Sequence, residues 1–143
     1  MRAAIGMATV LAAALGQASP GGLAGHWAAS LGGQTFVRLE LHETNGALTG
    51  WISLGDIHVN ALGEVEQVIA PASTFTPIFD VALRDGVLSF ARKDGDDTDR
   101  FSLRLSAAGF AELTFTPSDD DRRQLVEAGI PIPKPIRLTK AGP

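Results

Sequence analysis

The chain has no cysteine and no tyrosine, and aromatic residues make up only 6% of it. Without cysteine there is no disulfide, no thiolate metal site, no thiol nucleophile and no lipid-modified N-terminal cysteine. Charge is also sparse. Acids outnumber bases 16 to 12, for a formal net charge of −4, which argues against nucleic acid or an anionic membrane surface as partner. No serine-nucleophile motif, phosphate loop or inward pair of carboxylates is present. With 143 residues, the chain has room for one domain around one core and not for a two-domain enzyme.

One long apolar run exists. Met1-Arg2 provide a positive start, Ala3 to Leu15 are apolar or small, and Gly16-Gln17-Ala18 precede Ser19-Pro20. This pattern predicts a secretory signal over 1–18, cut after Ala18, and a mature domain over 19–143 in a secreted or periplasmic location. The run is too short for the ~20 residues that cross a bilayer, so no membrane span is expected after cleavage. An exported chain without disulfides relies on its core alone.

From residue 25 to 117 the hydrophobic pattern has period two. Val37, Leu39 and Leu41 alternate with Arg38, Glu40 and His42, and Asn45-Gly46 follows, a favoured pair for a two-residue hairpin turn. That turn sets Leu39 opposite Ile52 and Val37 opposite Leu54. It sets Glu40 opposite Trp51 on the polar side. A one-residue slip would mix the faces. Asp85-Gly86 likewise predicts Leu83 opposite Leu88, Val81 opposite Phe90 and Phe79 opposite Arg92. A loop ending in a left-handed Gly109 sets Leu105 against Ala111, Leu103 against Leu113 and Phe101 against Phe115. Asp56–Leu62 also alternates, while Pro71 and Pro77 mark bends or an edge.

The period then changes. Ser118 is a helix cap followed by Asp119, Asp120 and Asp121, where the helix dipole favours acids. Gly129 and Pro131 end the helix, 130–135 is extended, and Ile136-Arg137-Leu138 reads as a last strand. The expected fold is all-β: a single antiparallel up-and-down barrel of about eight strands, with one short C-terminal helix and a short last strand.

Gly25-His26-Trp27 opens the first strand. A Gly-x-Trp before an antiparallel meander, a helix and a last strand resembles the lipocalin-like (calycin) barrels. In those families the tryptophan plugs one end. Leu31-Gly32 and Gly46-Ala47-Leu48-Thr49-Gly50 make the first hairpin similar to avidins. The residues with which avidins hold biotin are replaced here by Ala29, Gly33 and Ile52, so the resemblance implies no biotin binding. A family of periplasmic metalloprotease inhibitors has a similar Gly-x-Trp barrel with a free N-terminal arm, usually with a disulfide that this chain cannot form.

An eight-stranded barrel is filled by side chains or holds one small ligand. The registers turn mostly large apolar residues inward, including Leu31, Ile57 and Val59. The candidate ligand-binding set is Trp27, Leu39, Ile52, Phe79, Phe90 and Phe101, with Arg92 at a mouth to meet a single anionic end. His26, His42 and His58 all point outward, which leaves no catalytic residue, metal site or cofactor to nominate. Residues 94–99 form an acidic hairpin tip. Trp51 points outward and is expected to lie under the terminal helix, against Leu125 and Val126. The leading expectation is an exported, non-catalytic barrel that binds an apolar small molecule or a protein partner. The alternatives are a periplasmic protease inhibitor that uses the Ser19–Ala24 arm, and a barrel isomerase or cyclase acting on an apolar substrate.

Overall fold

The computed structural model describes residues 20–141; the expected signal segment lies outside them. A single helical turn, α1 (Pro20–Leu23), leads into β1 (Gly25–Leu31), β2 (Gln34–Thr44) and β3 (Ala47–Leu54). After β4 (Asp56–Val59) and β5 (Val65–Ala70) come β6 (Thr76–Arg84), β7 (Val87–Asp94), β8 (Asp97–Ala107) and β9 (Phe110–Phe115). Helix α2 (Asp119–Glu127) and β10 (Ile136–Lys140) complete the chain. Eight strands close an antiparallel barrel in the order β1-β10-β9-β8-β7-β6-β3-β2.

Turn chemistry fixes the registers. Asn45 and Gly46, and again Asp85 and Gly86, all have positive φ, as a two-residue turn matched to strand twist requires. Leu39 accordingly pairs with Ile52, Leu83 with Leu88 and Leu103 with Leu113. Gly50 has a separate role. A Cβ there would collide with the Glu40 carbonyl of β2, so only glycine lets the two strands approach.

Three expectations are corrected. First, β4 and β5 form their own two-stranded ribbon outside the barrel. Ile57 and Val59 therefore belong to that ribbon rather than to the barrel wall. Ile57, Val65 and Val68 pack it onto the core, and its base is tied by Gly55 N donating to Phe36 O and Ala72 N to Thr35 O, at 2.8 and 2.9 Å. Second, β6 bulges between Phe79 and Ala82, with Asp80 at φ +52. The extra residue reverses the alternation, so Ile78 pairs with Arg92 and Phe79 with Ala91. Ile78 and Val81 join the core, and Phe79 turns out beneath the Lys93 ammonium, 5.9 Å from its ring centroid. Third, a bulge between Ala29 and Ser30 carries Leu31 out to the surface, where it is exposed.

Inside the barrel, Leu39, Ile52, Leu88, Leu103 and Leu113 are fully buried beside Phe90 and Phe101. The lower end carries the turns at Asn45-Gly46, Asp85-Gly86 and Ala108-Gly109, and α1 stops it. Leu23 is fully buried there, and Trp27, 1% exposed, donates its indole N–H to the Leu23 carbonyl at 2.8 Å. A buried indole N–H needs such a partner. Trp27→Ala should destabilise the protein by about 3–5 kcal/mol in chemical denaturation. A loss under about 1 kcal/mol would show that Trp27 does not stopper the barrel.

Candidate functional site

The upper end is built differently. Phe90 and Phe101 stack at 5.4 Å between centroids, and Phe101 meets Phe115 at 5.1 Å. This file of rings leads from the interior to the upper rim. There Phe115 becomes the floor of a groove of about 660 Å³ between the β7–β8 tip and α2.

Local sequence shapes the wall contributed by α2. The Ser118 hydroxyl accepts from Asp121 N at 3.1 Å and caps the helix start. At its other end Gly129 has φ +70. Gly129 N donates to Val126 O at 3.1 Å, and Ile130 N to Leu125 O at 2.9 Å. This paired C-terminal motif brings the residue after the glycine back beside the last turn. Leu125 and Ile130 thus line the groove together, with Ile132 and Pro133 continuing the apolar surface. The extended segment is held from behind by Lys134 N, which donates to Gly63 O at the ribbon tip at 2.8 Å.

The rim is acidic. Asp96, Asp97, Asp99 and Asp121 line it, with Arg100 as the only base. Arg92 Nε donates to Asp99 Oδ2 at 3.1 Å, and its Nη2 lies 3.9 Å from Asp94. The Arg92 side chain is only 14% exposed. Arg100 is drawn to Asp80 at 3.5 Å. Both cations are thereby neutralised, and among the described residues Asp96, Asp97 and Asp121 have no cationic partner.

The sequence-derived candidates are spread over the molecule. Trp27 is at the lower end, Leu39 and Ile52 face each other in the wall, and Phe90 and Phe101 stack in the core. Phe79 lies outside, and Arg92 is bound to Asp99. The structure therefore unites Phe90 with Phe101 and Leu39 with Ile52, but it does not gather all seven into one pocket. The groove residues Phe115, Leu125, Ile130 and Ile132 were not nominated; the Ser118 cap and the Gly129 stop were the signals that place the last three.

Trp51 departs from expectation as well. It is 40% exposed, edge-on to His42 at 5.6 Å, while Leu125 turns to Phe115's groove. All three histidines are exposed. His26 lies 3.1 Å from Glu40, and His58 lies 3.5 Å from Glu66. Among the described residues no three metal-ligating side chains converge, and no helix is long and apolar enough to cross a membrane.

No protein-family model, curated protein or solved structure matches this chain. The likeness to lipocalin-like barrels thus extends to the closed eight-stranded antiparallel layout.

The rim ion pair yields a stability comparison. Arg92→Ala leaves a half-buried Asp99 without its charge-assisted bond and should cost about 1–3 kcal/mol. Arg104→Ala removes an exposed pair with Glu112 and should cost less than about 1 kcal/mol. Urea titration of both variants checks this order; equal losses would contradict it.

Proposed function

We propose that the chain is an exported, non-catalytic binding protein of lipocalin-like (calycin) layout. Its ligand is an apolar molecule with one positively charged end, held in the upper groove. The observation that carries this reading is the combination of an apolar floor with unpaired acids on its rim. Apolar surface buried on Phe115, Leu125, Ile130 and Ile132 contributes about 25 cal/mol per Å², and Asp96, Asp97 and Asp121 favour a cation at the open edge. The anionic end expected to meet Arg92 is replaced in this proposal, because Asp99 already occupies that guanidinium.

Other readings have less support. An enzyme acting inside the barrel would need the space that Phe90 and Phe101 fill. An inhibitor arm would have to leave the barrel end where Leu23 is buried. A protein partner remains the second reading, favoured by one observation: Trp51 is exposed and pairs across strands with Pro77, with exposed Phe75 nearby in sequence. Exposed aromatics of this kind anchor protein interfaces.

Fluorescence titration with three dyes tests the groove: a cationic styrylpyridinium, neutral Nile red and anionic anilinonaphthalene sulfonate. The cationic dye should bind saturably and most tightly. Asp97→Asn combined with Asp121→Asn, and separately Leu125→Ser, should each weaken it about tenfold, or about 1.4 kcal/mol. Preference for the anionic dye, or binding indifferent to these changes, would overturn the proposal.

A further inference from the structure

The outer wall of the upper groove is short of hydrogen-bond donors. Pro131, Pro133 and Pro135 alternate along it, and proline has no N–H to give. Among the described residues two main-chain bonds hold the 130–135 segment. Ile130 N donates to Leu125 O at 2.9 Å, and Lys134 N to Gly63 O at 2.8 Å. They lie on either side of Ile132 and Pro133, which line the groove. The alternating prolines keep the stretch between the two bonds extended. Its position is thus set at one end by α2 and at the other by the tip of the β4–β5 ribbon.

That tip is built to stay in place. The Asn60 side-chain oxygen accepts from Leu62 N at 2.9 Å and from Glu64 N at 3.0 Å. Asn60 N donates to Glu64 O at 2.9 Å, and Gly63 N to Asn60 O at 3.0 Å. Asn60 therefore ties the turn through both its side chain and its main chain. Gly63 is buried, with φ +86. A Cβ on it would lie 2.8 Å from Ile132 O and 3.3 Å from Lys134 N. Glycine is required there twice, for the backbone angle and for the close approach. At the ribbon's base Ile57, Val65 and Val68 pack on the core, so the tip is anchored to the barrel. Yet among the described residues the groove lining includes none from 60 to 64.

We propose that the ribbon tip is a clasp on the upper groove. Asn60 and Gly63 hold Ile132 and Pro133 in the groove wall, and a bound ligand in turn holds the clasp shut. This rests on the reading of that groove as the site for an apolar cation. With the Gly63–Lys134 bond made, Ile132 and Pro133 continue the surface begun by Leu125 and Ile130. With it broken, the segment is tied only at Ile130 and at Ile136, where β10 begins, and the wall loses its fixed shape. A ligand that needs the formed wall binds the clasped state, so its apparent affinity falls with the clasped fraction. Linkage makes the effect reciprocal. The factor by which opening weakens the ligand is the factor by which the ligand favours closure. Asn60 and Gly63 are thus positioning residues, which act through Lys134.

Amide hydrogen exchange on the full chain, with and without the cationic styrylpyridinium dye, tests this. In the wild type, saturating dye should slow exchange of the Lys134 amide about tenfold; a tie that only supports the fold would not respond. Gly63→Ala and Asn60→Ala should each speed that exchange without dye and weaken dye binding about tenfold. The Leu39 and Leu113 amides should keep their wild-type exchange, which shows the barrel intact. Adding dye to Asn60→Ala should slow Lys134 exchange again. Ile69→Ser, an exposed change on β5, should alter neither quantity. Asn60→Ala keeps Gly63 itself, and the wild-type comparison needs no variant, so the test stays open should Gly63→Ala fail to fold. Dye binding that leaves wild-type Lys134 exchange unchanged, or that both tip variants retain in full, would overturn the clasp alone. Failure of the wild type to bind the dye would overturn the reading of the groove, and the clasp with it.

Discussion

An eight-stranded barrel encloses room for a layer of side chains or for one small ligand. Here large apolar side chains point into it. Period-two alternation delivers Leu39, Ile52, Leu88, Leu103 and Leu113 to the interior, and Phe90 and Phe101 stack among them. With no cysteine in the chain, this packing supplies the cohesion that other small domains draw from disulfides. Trp27 and Leu23 stopper the lower end with an apolar plug and a satisfied indole N–H. With these side chains inside, the proposed binding falls to the outer surface, where the extra elements of the fold lie.

Those elements gather at the upper end. The β4–β5 ribbon packs on the core at its base and holds the 130–135 segment at its tip. That segment and α2 then form one wall of the acidic groove, and the β7–β8 tip forms the other. On β10 the Arg137 guanidinium lies over Phe110 outside the barrel, and the Lys140 ammonium lies on the opposite face, near Trp27 at the lower end.

Much of this was legible in the sequence, and what was not has definite causes. Asn45-Gly46, Asp85-Gly86 and Gly109 announce their turns because positive φ narrows the choice of residue, and each turn carries its register with it. The Asp80 bulge was hidden, since an aspartate at positive φ looks like any polar residue on an outward position; that one extra residue moved Phe79 to the outside. The ribbon was hidden because Ile57 and Val59 alternate in it just as they would in a barrel strand. The Arg92–Asp99 pair follows from the β7–β8 hairpin, in which Asp94 pairs with Asp97, but its acidic tip reads first as a solvated loop. The upper groove draws on separate stretches of chain, and no short motif spans it. The Ser118 cap and the Gly129 helix stop, which folds Ile130 back beside Leu125, marked part of the upper groove locally.

The central claim is that binding occurs on the outside of a filled barrel. Amide and methyl chemical shifts, followed as the cationic styrylpyridinium dye is added, test it most directly. The account predicts perturbations at Thr98, Leu125, Ile130 and Ile132, with Leu39, Ile52 and Leu88 unmoved. Perturbation of Leu39, Ile52 and Leu88 ahead of the groove residues would place the ligand inside the barrel and contradict it.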